Sequence, residues 1–337
     1  MTAVIASTRL DVERAFAIEA VAAASRLCRT VRQGFDPAEA TAKADNSPVT
    51  VADLGAQTLV SMMLRKRLPD DSLMGEEDFG PLAESAELAA AVVARVREQR
   101  PGAGLDEVRA ALDGCDDPGG PGRRWWTLDP VDGTKGFLRN EQYAVALALI
   151  EDGEVILAVM ASPNLPSQGE PGDPGAVGCL FVAERGQGAF QVALRDAAAG
   201  VVGQRINVTE LRSAAEGRYA ESVESAHSNH SASAQIAEVL GISAAPLRLD
   251  SQTKYAVVGR GDASIYLRLP RSDYRENVWD HAAGYLIVVE AGGRVSDVQG
   301  KPLDFSTGTR MTSNRGVVAT AAPIHDAVLE AVGTVLN

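Results

Sequence analysis

The stretch "WTLDPVDGTKGFLRN", residues 126–140, sets Asp129 and Asp132 three residues apart, directly after an apolar run and just before a glycine. Two carboxylates held so close repel each other, so either water solvates both at a turn or a cation belongs between them. Pro130 fixes its own φ and stiffens the spacing, while Gly133 lets the chain turn tightly and lets a ligand approach the backbone. The Val131 carbonyl between the acids adds one more oxygen donor, and Thr134 follows with a hydroxyl. The stretch reads as the end of an element, where sites usually form.

Three other segments place acids at element ends: Asp53 in "VTVAD", Glu76 in "GEED" and Asp280 in "VWDHAAG". Singly, each has an ordinary structural explanation. Thr50 and Asp53 fit a capping box, Asp280 suits the positive end of a helix, and Glu76 suits a solvated surface. Together they form an oxygen-only donor set. Hard divalent cations such as magnesium take oxygen ligands, usually carboxylates plus water. None of these donor positions is itself a His or Cys, so zinc fits poorly. Two such ions side by side serve in-line displacement at phosphorus, by activating water and stabilising the leaving oxygen. Thr134 and Asp53 then suit a relay for the proton that water loses.

Working outward, Val12, Phe16, Ala20, Ala23, Leu27 and Val31 follow helical spacing, with Gly34 as a stop. A polar turn at 43–53 leads into a second helix with Ala56, Leu59, Val60, Met63 and Leu64 as its apolar stripe, ended by Pro69. A short strand is expected at 70–74. Residues 84–112 read as helix broken at "RPGAG", and "DDPGGPGRR", 116–124, as the segment best suited to be a mobile insert. "YAVALALI" and "EVILAVM" flank "EDG" as a hairpin, and "CLFVAE" and "GAFQVAL" flank "RGQG" in the same way. A shift in composition near residue 205 divides the chain into two expected domains, 1–205 and 206–337. The second carries a strand at "RINV", a helix at 231–240, a strand at "ASIYLRL", a helix over about 279–291 and a last helix over about 323–335. Helices and strands mix without regular alternation, which predicts a layered α/β sandwich rather than a barrel.

The 337 residues, 45% hydrophobic and 23% charged, suit a soluble globular protein with a substantial core. The net charge of −13 argues against nucleic-acid polymers and anionic membranes as partners, since both would be repelled. A small anionic substrate stays compatible when metal ions or local cations reverse the field at the site. Cys28, Cys115 and Cys179 are few and scattered, which points to a reducing intracellular compartment. The expected location is the cytoplasm, or an organelle such as the chloroplast if a transit segment has been removed. A monomer is the simplest expectation.

Two similarities mislead. "DGT" is similar to phosphatases with an Asp nucleophile in a D-x-D-G-T run, but here Pro130 occupies the nucleophile's place. Cys179 and Arg185 have the Cys-x5-Arg spacing of cysteine phosphatases, yet "LFVAE" between them lacks the glycines of a phosphate-cradling loop. Cys179 reads as a core residue.

In order along the chain, "GEED", "LDPVDGTKGF" and "VWDHAAGYLIVVEAGG" resemble the lithium-sensitive, magnesium-dependent phosphatase superfamily typified by inositol monophosphatase. "SPVTVAD", "TKGFLR", "AHSNH", "LDSQTKYAVVGRG" and "YLRLP" bring the resemblance closest to its 3′(2′),5′-bisphosphate nucleotidases, from about residue 10 to the end. The resemblance implies an inositol monophosphatase/fructose-1,6-bisphosphatase-like layered sandwich of mixed sheets and helix layers, with its site between two domains. It implies Glu76, Asp129, the Val131 carbonyl, Asp132 and Asp280 as ligands for two or three Mg2+ ions. It implies Asp53 and Thr134 as the water-activating pair, and Gly133, Thr134, His227, Ser228, Ser251, Lys254 and Arg268 as substrate contacts. Lys254 and Arg268 also make independent sense, because a bisphosphate has a second phosphate for cations to grip.

The implied activity is magnesium-dependent hydrolysis of the 3′-phosphate of adenosine 3′,5′-bisphosphate, and of its sulfated relative (phosphoadenosine phosphosulfate, PAPS), with Li+ and Na+ inhibitory. The alternatives are an inositol polyphosphate 1-phosphatase and a non-catalytic sensor of bisphosphate nucleotides.

Overall fold

Apolar residues on both faces of the central strands set the architecture. The structure is a computed structural model describing residues 7–34, 48–167, 178–197, 203–223, 230–270 and 274–336. The first sheet takes its strands in chain order: β1 (Leu73–Gly75), β2 (Arg124–Asp132), β3 (Ala144–Glu151), β4 (Glu154–Ser162), β5 (Cys179–Glu184), β6 (Gly188–Ala193) and β7 (Gln204–Ile206). All neighbours are antiparallel except β1 and β2. The second sheet runs β11 (Gly293–Ser296), β12 (Val317–Ala321), β10 (Ile265–Arg268), β8 (Tyr219–Glu221) and β9 (Leu247–Arg248). The strand expected at "RINV" is therefore the last of the first sheet rather than part of the second.

The helices are α1 (Asp11–Gln33), α2 (Pro48–Arg67), α3 (Gly80–Glu84), α4 (Ala86–Gln99), α5 (Leu105–Asp113), α6 (Thr134–Arg139), α7 (His230–Leu240), α8 (Thr253–Arg260), α9 (Ala282–Glu290) and α10 (His325–Leu336). α1 and α2 pack on one face of the first sheet, α8 and α9 lie between the two sheets, and α7 and α10 cover the far side of the second. The result is a helix–sheet–helix–sheet–helix sandwich, the layered α/β class expected from the sequence.

Strand periodicity divides the core. Trp126, Leu128, Leu147, Leu149, Leu157 and Val159 face α1 and α2, whereas Trp125, Ala146, Ala148, Ala158 and Met160 face the other way. The alanines on that second face let α9 settle closely over β3 and β4. The "EDG" hairpin forms as read: Asp152 (φ 54°) and Gly153 (φ 79°) give the left-handed pair that matches strand twist.

Several expectations shift. β1 begins at Leu73, later than residue 70, and α9 begins at Ala282, so Asp280 lies in the turn before the helix. α2 already runs from Pro48, which puts Thr50 inside the helix and removes the capping box. Val12 lies outside the buried stripe of α1 and is exposed. The 116–124 loop is tied down around Asp117, which pairs with Arg123 at 2.6 Å and accepts the Gly119 N–H at 2.7 Å. Among the described residues no helix is long and apolar enough to cross a membrane.

Candidate active site

Asp129 and Asp132 would point to opposite faces of a regular strand, because side chains alternate with period two. The β2–β3 register prevents this. Asp129 pairs with Ala146 and Asp132 with Ala144, so three steps on β2 match two on β3. That one-residue bulge holds Pro130 and Val131 and carries the second acid to the same side as the first. The buried Val131 side chain continues the Trp126–Leu128 face, as the shifted phase requires. What reads in sequence as a turn is a bulged strand end, and the turn itself starts at Gly133.

Gly133 is left-handed (φ 89°) and leads into α6. A Cβ there would stand 2.8 Å from the Ser251 Cβ, so glycine permits the close approach of this turn to the start of α8. Across that contact the Gln252 backbone N–H donates to the Asp132 carboxylate. Ser251 itself is left-handed (φ 70°), and its hydroxyl bonds Thr253 Oγ1 at 2.9 Å.

Glu76 follows β1 and is positioned from α2. The buried Gln57 amide donates to the Glu77 carbonyl (2.6 Å) and accepts the Glu77 N–H (3.0 Å). Gly75 makes room for it, since a Cβ would meet that amide at 2.5 Å. Asp53 lies one helical turn before Gln57 on α2.

A cleft of about 390 Å³ is lined by Glu76, Asp132, Gly133, Thr134, Ser251, Lys254, Arg268 and Asp280 among the residues anticipated from sequence. Asp129, 2% exposed, and Asp53, 6% exposed, lie beneath this surface. Lys254 is buried, 5.4 Å from the Tyr266 ring centre. Arg268 pairs with Glu276 at 2.6 Å and reaches Asp280 at 3.5 Å. Tyr274, 45% exposed, stands at the mouth with the Arg310 guanidinium 5.9 Å from its ring.

The acids feel one another. Burial, then Asp280, Glu77 and Asp132, push Glu76 up to about 8, partly offset by its hydrogen bond with Asp129. Burial and then the Glu76, Asp132, Asp280 and Asp53 charges raise Asp129 well above the carboxylate range. Burial, with Glu77 and Glu76, does the same to Asp53. Asp280 is raised by burial, against the pull of Arg268 and His281. Lys254 is lowered by burial to about 8, although Asp132 and Asp250 favour its charge.

Such a cluster suits a hard cation. Asp129 Oδ1 is buried without a hydrogen-bond partner, the donors are oxygen, and the mutual repulsion is of the kind a divalent ion relieves. Among the described residues, Glu276, Asp280 and His281 form the one trio with ligand atoms within 4.8 Å of one another. That trio is internally satisfied instead: Glu276 takes Arg268 and, at 3.1 Å, His281 Nε2, while His281 Nδ1 bonds the Tyr255 hydroxyl at 2.7 Å.

His227 and Ser228 lie outside the described residues. No hydrogen bond joins Thr134 to Asp53 among the described residues, although α6 packs on α2. Cys179 is buried in β5, its thiol pushed up to about 12 by burial, which agrees with a core role. Sequence reasoning missed Gln57, Gln252, Tyr274 and Glu276. Gln57 had a usable signal, its four-residue spacing from Asp53; Gln252 sits in a motif that shows nothing of its direction, and Tyr274 and Glu276 lie between motifs.

The Inositol monophosphatase family profile matches residues 9–335. A 3′(2′),5′-bisphosphate nucleotidase of Oryza sativa is 42% identical, over 95% of this chain and 93% of its own length. One from Schizosaccharomyces pombe is 39% identical, over 97% and 96%. Among solved structures, the Thermotoga maritima IMPase TM1415 superposes with a TM-score of 0.63 at 24% identity, covering 95% of this chain and 96% of its own. CysQ from Bacteroides thetaiotaomicron, a bacterial member of the same family, gives 0.61 at 21%, covering 93% and 98%. With the bulged acidic strand end, the layered fold and near-complete coverage all in agreement, this chain belongs to the inositol monophosphatase family.

Proposed function

We infer that this protein is a magnesium-dependent phosphomonoesterase that hydrolyses the 3′-phosphate of adenosine 3′,5′-bisphosphate to AMP and phosphate. One observation carries the reading: a single cleft is lined both by the acids Glu76, Asp132 and Asp280 and by the cations Lys254 and Arg268. Anion-holding cations and cation-holding acids in one cleft suit a substrate with two phosphates. The names of the Oryza sativa and Schizosaccharomyces pombe relatives support the nucleotide as that substrate.

Glu76, Asp129, the Val131 carbonyl, Asp132 and Asp280 would hold two or three Mg2+ ions. When bound, magnesium supplies water activation and neutralises charge on the phosphoryl group and leaving oxygen. The chain does the rest. The buried Asp53 carboxylate on α2 would take the proton that the attacking water gives up through Thr134 Oγ1. The Gly133 backbone lines the cleft beside Thr134, where it would flank a phosphate. Ser251, Lys254 and Arg268, with His227 and Ser228, bind the second phosphate and ribose. The Tyr274 face at the mouth suits a stacked base, which favours a nucleotide over an inositol polyphosphate. PAPS is a second substrate by the same contacts. Li+ and Na+ inhibit by entering a magnesium site without matching its charge. Residues 1–205 and 206–337 act as two domains, the first with most of the metal ligands and the second with the substrate contacts and Asp280.

Phosphate release is measured with adenosine 3′,5′-bisphosphate, PAPS and inositol 1,4-bisphosphate, each with magnesium and with chelator. Turnover of the nucleotide that needs magnesium and is abolished in a folded Asp132→Asn variant is the expected result. Binding without release would instead identify a sensor, and faster turnover of the inositol compound would identify a polyphosphate 1-phosphatase.

A further inference from the structure

Gln252 sits where two distant parts of the acidic cluster meet, and its amide is used at both ends. It is buried. Its backbone N–H donates to Asp132 at the end of β2. Its side-chain Nε2 donates to the Trp279 carbonyl at 2.8 Å, next to Asp280, and its Oε1 accepts the Gly284 N–H of α9 at 3.3 Å. One residue thus touches the strand end bearing Asp132, the turn bearing Asp280 and the helix after that turn.

Asp132 and Asp280 are like charges lining one cleft, so with no cation between them repulsion favours their separation. A clasp between their segments opposes that drift. Only a neutral amide of this length both donates to a carbonyl and accepts from an N–H. A glutamate would turn an acceptor toward the Trp279 carbonyl and add negative charge beside Asp132; a methionine would fill the space but bond neither group.

We propose that Gln252 is a positioning residue that sets the separation of Asp132 and Asp280, and through it the affinity of the site for divalent metal. The inference rests on the metal-dependent reading of the cleft. Partners that orient ligands from behind typically alter metal affinity or activity by about 10–100-fold when removed.

The test compares full-length wild type with Gln252→Met and Gln252→Glu, both close to the native shape and both retaining the backbone N–H to Asp132. Mg2+ affinity is measured by isothermal titration calorimetry without substrate, chelated samples are melted, and kcat is followed across magnesium concentration. The expected result is a dissociation constant raised about 10–100-fold in both variants. Both variants stay folded without metal, and excess magnesium restores kcat. Wild-type metal affinity in the folded variants overturns the proposal. So does lost activity that magnesium fails to restore, or failure of both variants to fold, since either assigns the amide a general structural role. Wild-type protein that binds magnesium but releases no phosphate would sink the assigned reaction while leaving this inference open to the calorimetric result.

Discussion

Glu76 shows how strongly one side chain is governed by its neighbours. Its ordinary value is 4.5, and burial with nearby acids lifts it to about 8 in the folded chain. Between those values the native state keeps a proton that the unfolded chain has released, so stability falls as pH rises from about 4.5 to about 8. Chelated protein should therefore melt at progressively lower temperature across that window, and saturating magnesium should blunt the trend, because the metal takes the proton's place. A melting temperature that climbs with pH in chelator would contradict the buried-acid account. Tyr274 tests the other end of the cleft. Base–aromatic stacking contributes about 1–3 kcal/mol, so Tyr274→Ala should raise KM for the nucleotide roughly tenfold. KM for ribose 3,5-bisphosphate, which has no base, should stay unchanged; equal losses for both substrates would place the tyrosine's role elsewhere.

At the scale of elements, close approaches carry the site. Gly75 clears space for the Gln57 amide, which holds the backbone beside Glu76. Gly75→Ala should cost about 1–3 kcal/mol of stability by overpacking, and should weaken turnover further by moving Glu76. Denaturant unfolding and initial rates at fixed magnesium measure the two effects; an unaltered rate would separate Gln57 from the chemistry. The alanine face of β3 and β4 offers a contrast. Ala158→Leu pushes against the α8–α9 layer and should cost a similar about 1–3 kcal/mol by denaturant unfolding, without altering the order of substrate preference. α1 was legible because helical periodicity over more than twenty positions outweighs an exception such as Val12, and the β3–β4 hairpin because two apolar runs flank a turn at "EDG". α6, α8, β8 and β9 are too short to show a period, and their formation rests on what they pack against.

For the whole molecule, the two sheets and the helices between them bring Glu76, Asp132 and Asp280 to one cleft although they span some two hundred positions. A ligand that binds only the folded arrangement stabilises it by RT ln(1 + [L]/Kd), about 2.7 kcal/mol at a hundredfold excess over Kd. Thermal melts should therefore rise with magnesium until saturation, and Asp129→Asn should abolish most of that rise. A full magnesium-dependent shift in that variant would remove Asp129 from the metal site.

Donor chemistry was readable along the chain, since oxygen ligands, a proline and a glycine act through local bonding whatever surrounds them. That made the acids that line the cleft and the layered fold accessible from residue order alone. The common direction of Asp129 and Asp132 was not, because it depends on β2 gaining one residue against β3. Nor were the raised Glu76 and Asp53, or the grip of Gln252 on both halves of the cleft. Strand pairing, burial and charge proximity join residues far apart in the chain, and those relations exist only once the layers have packed.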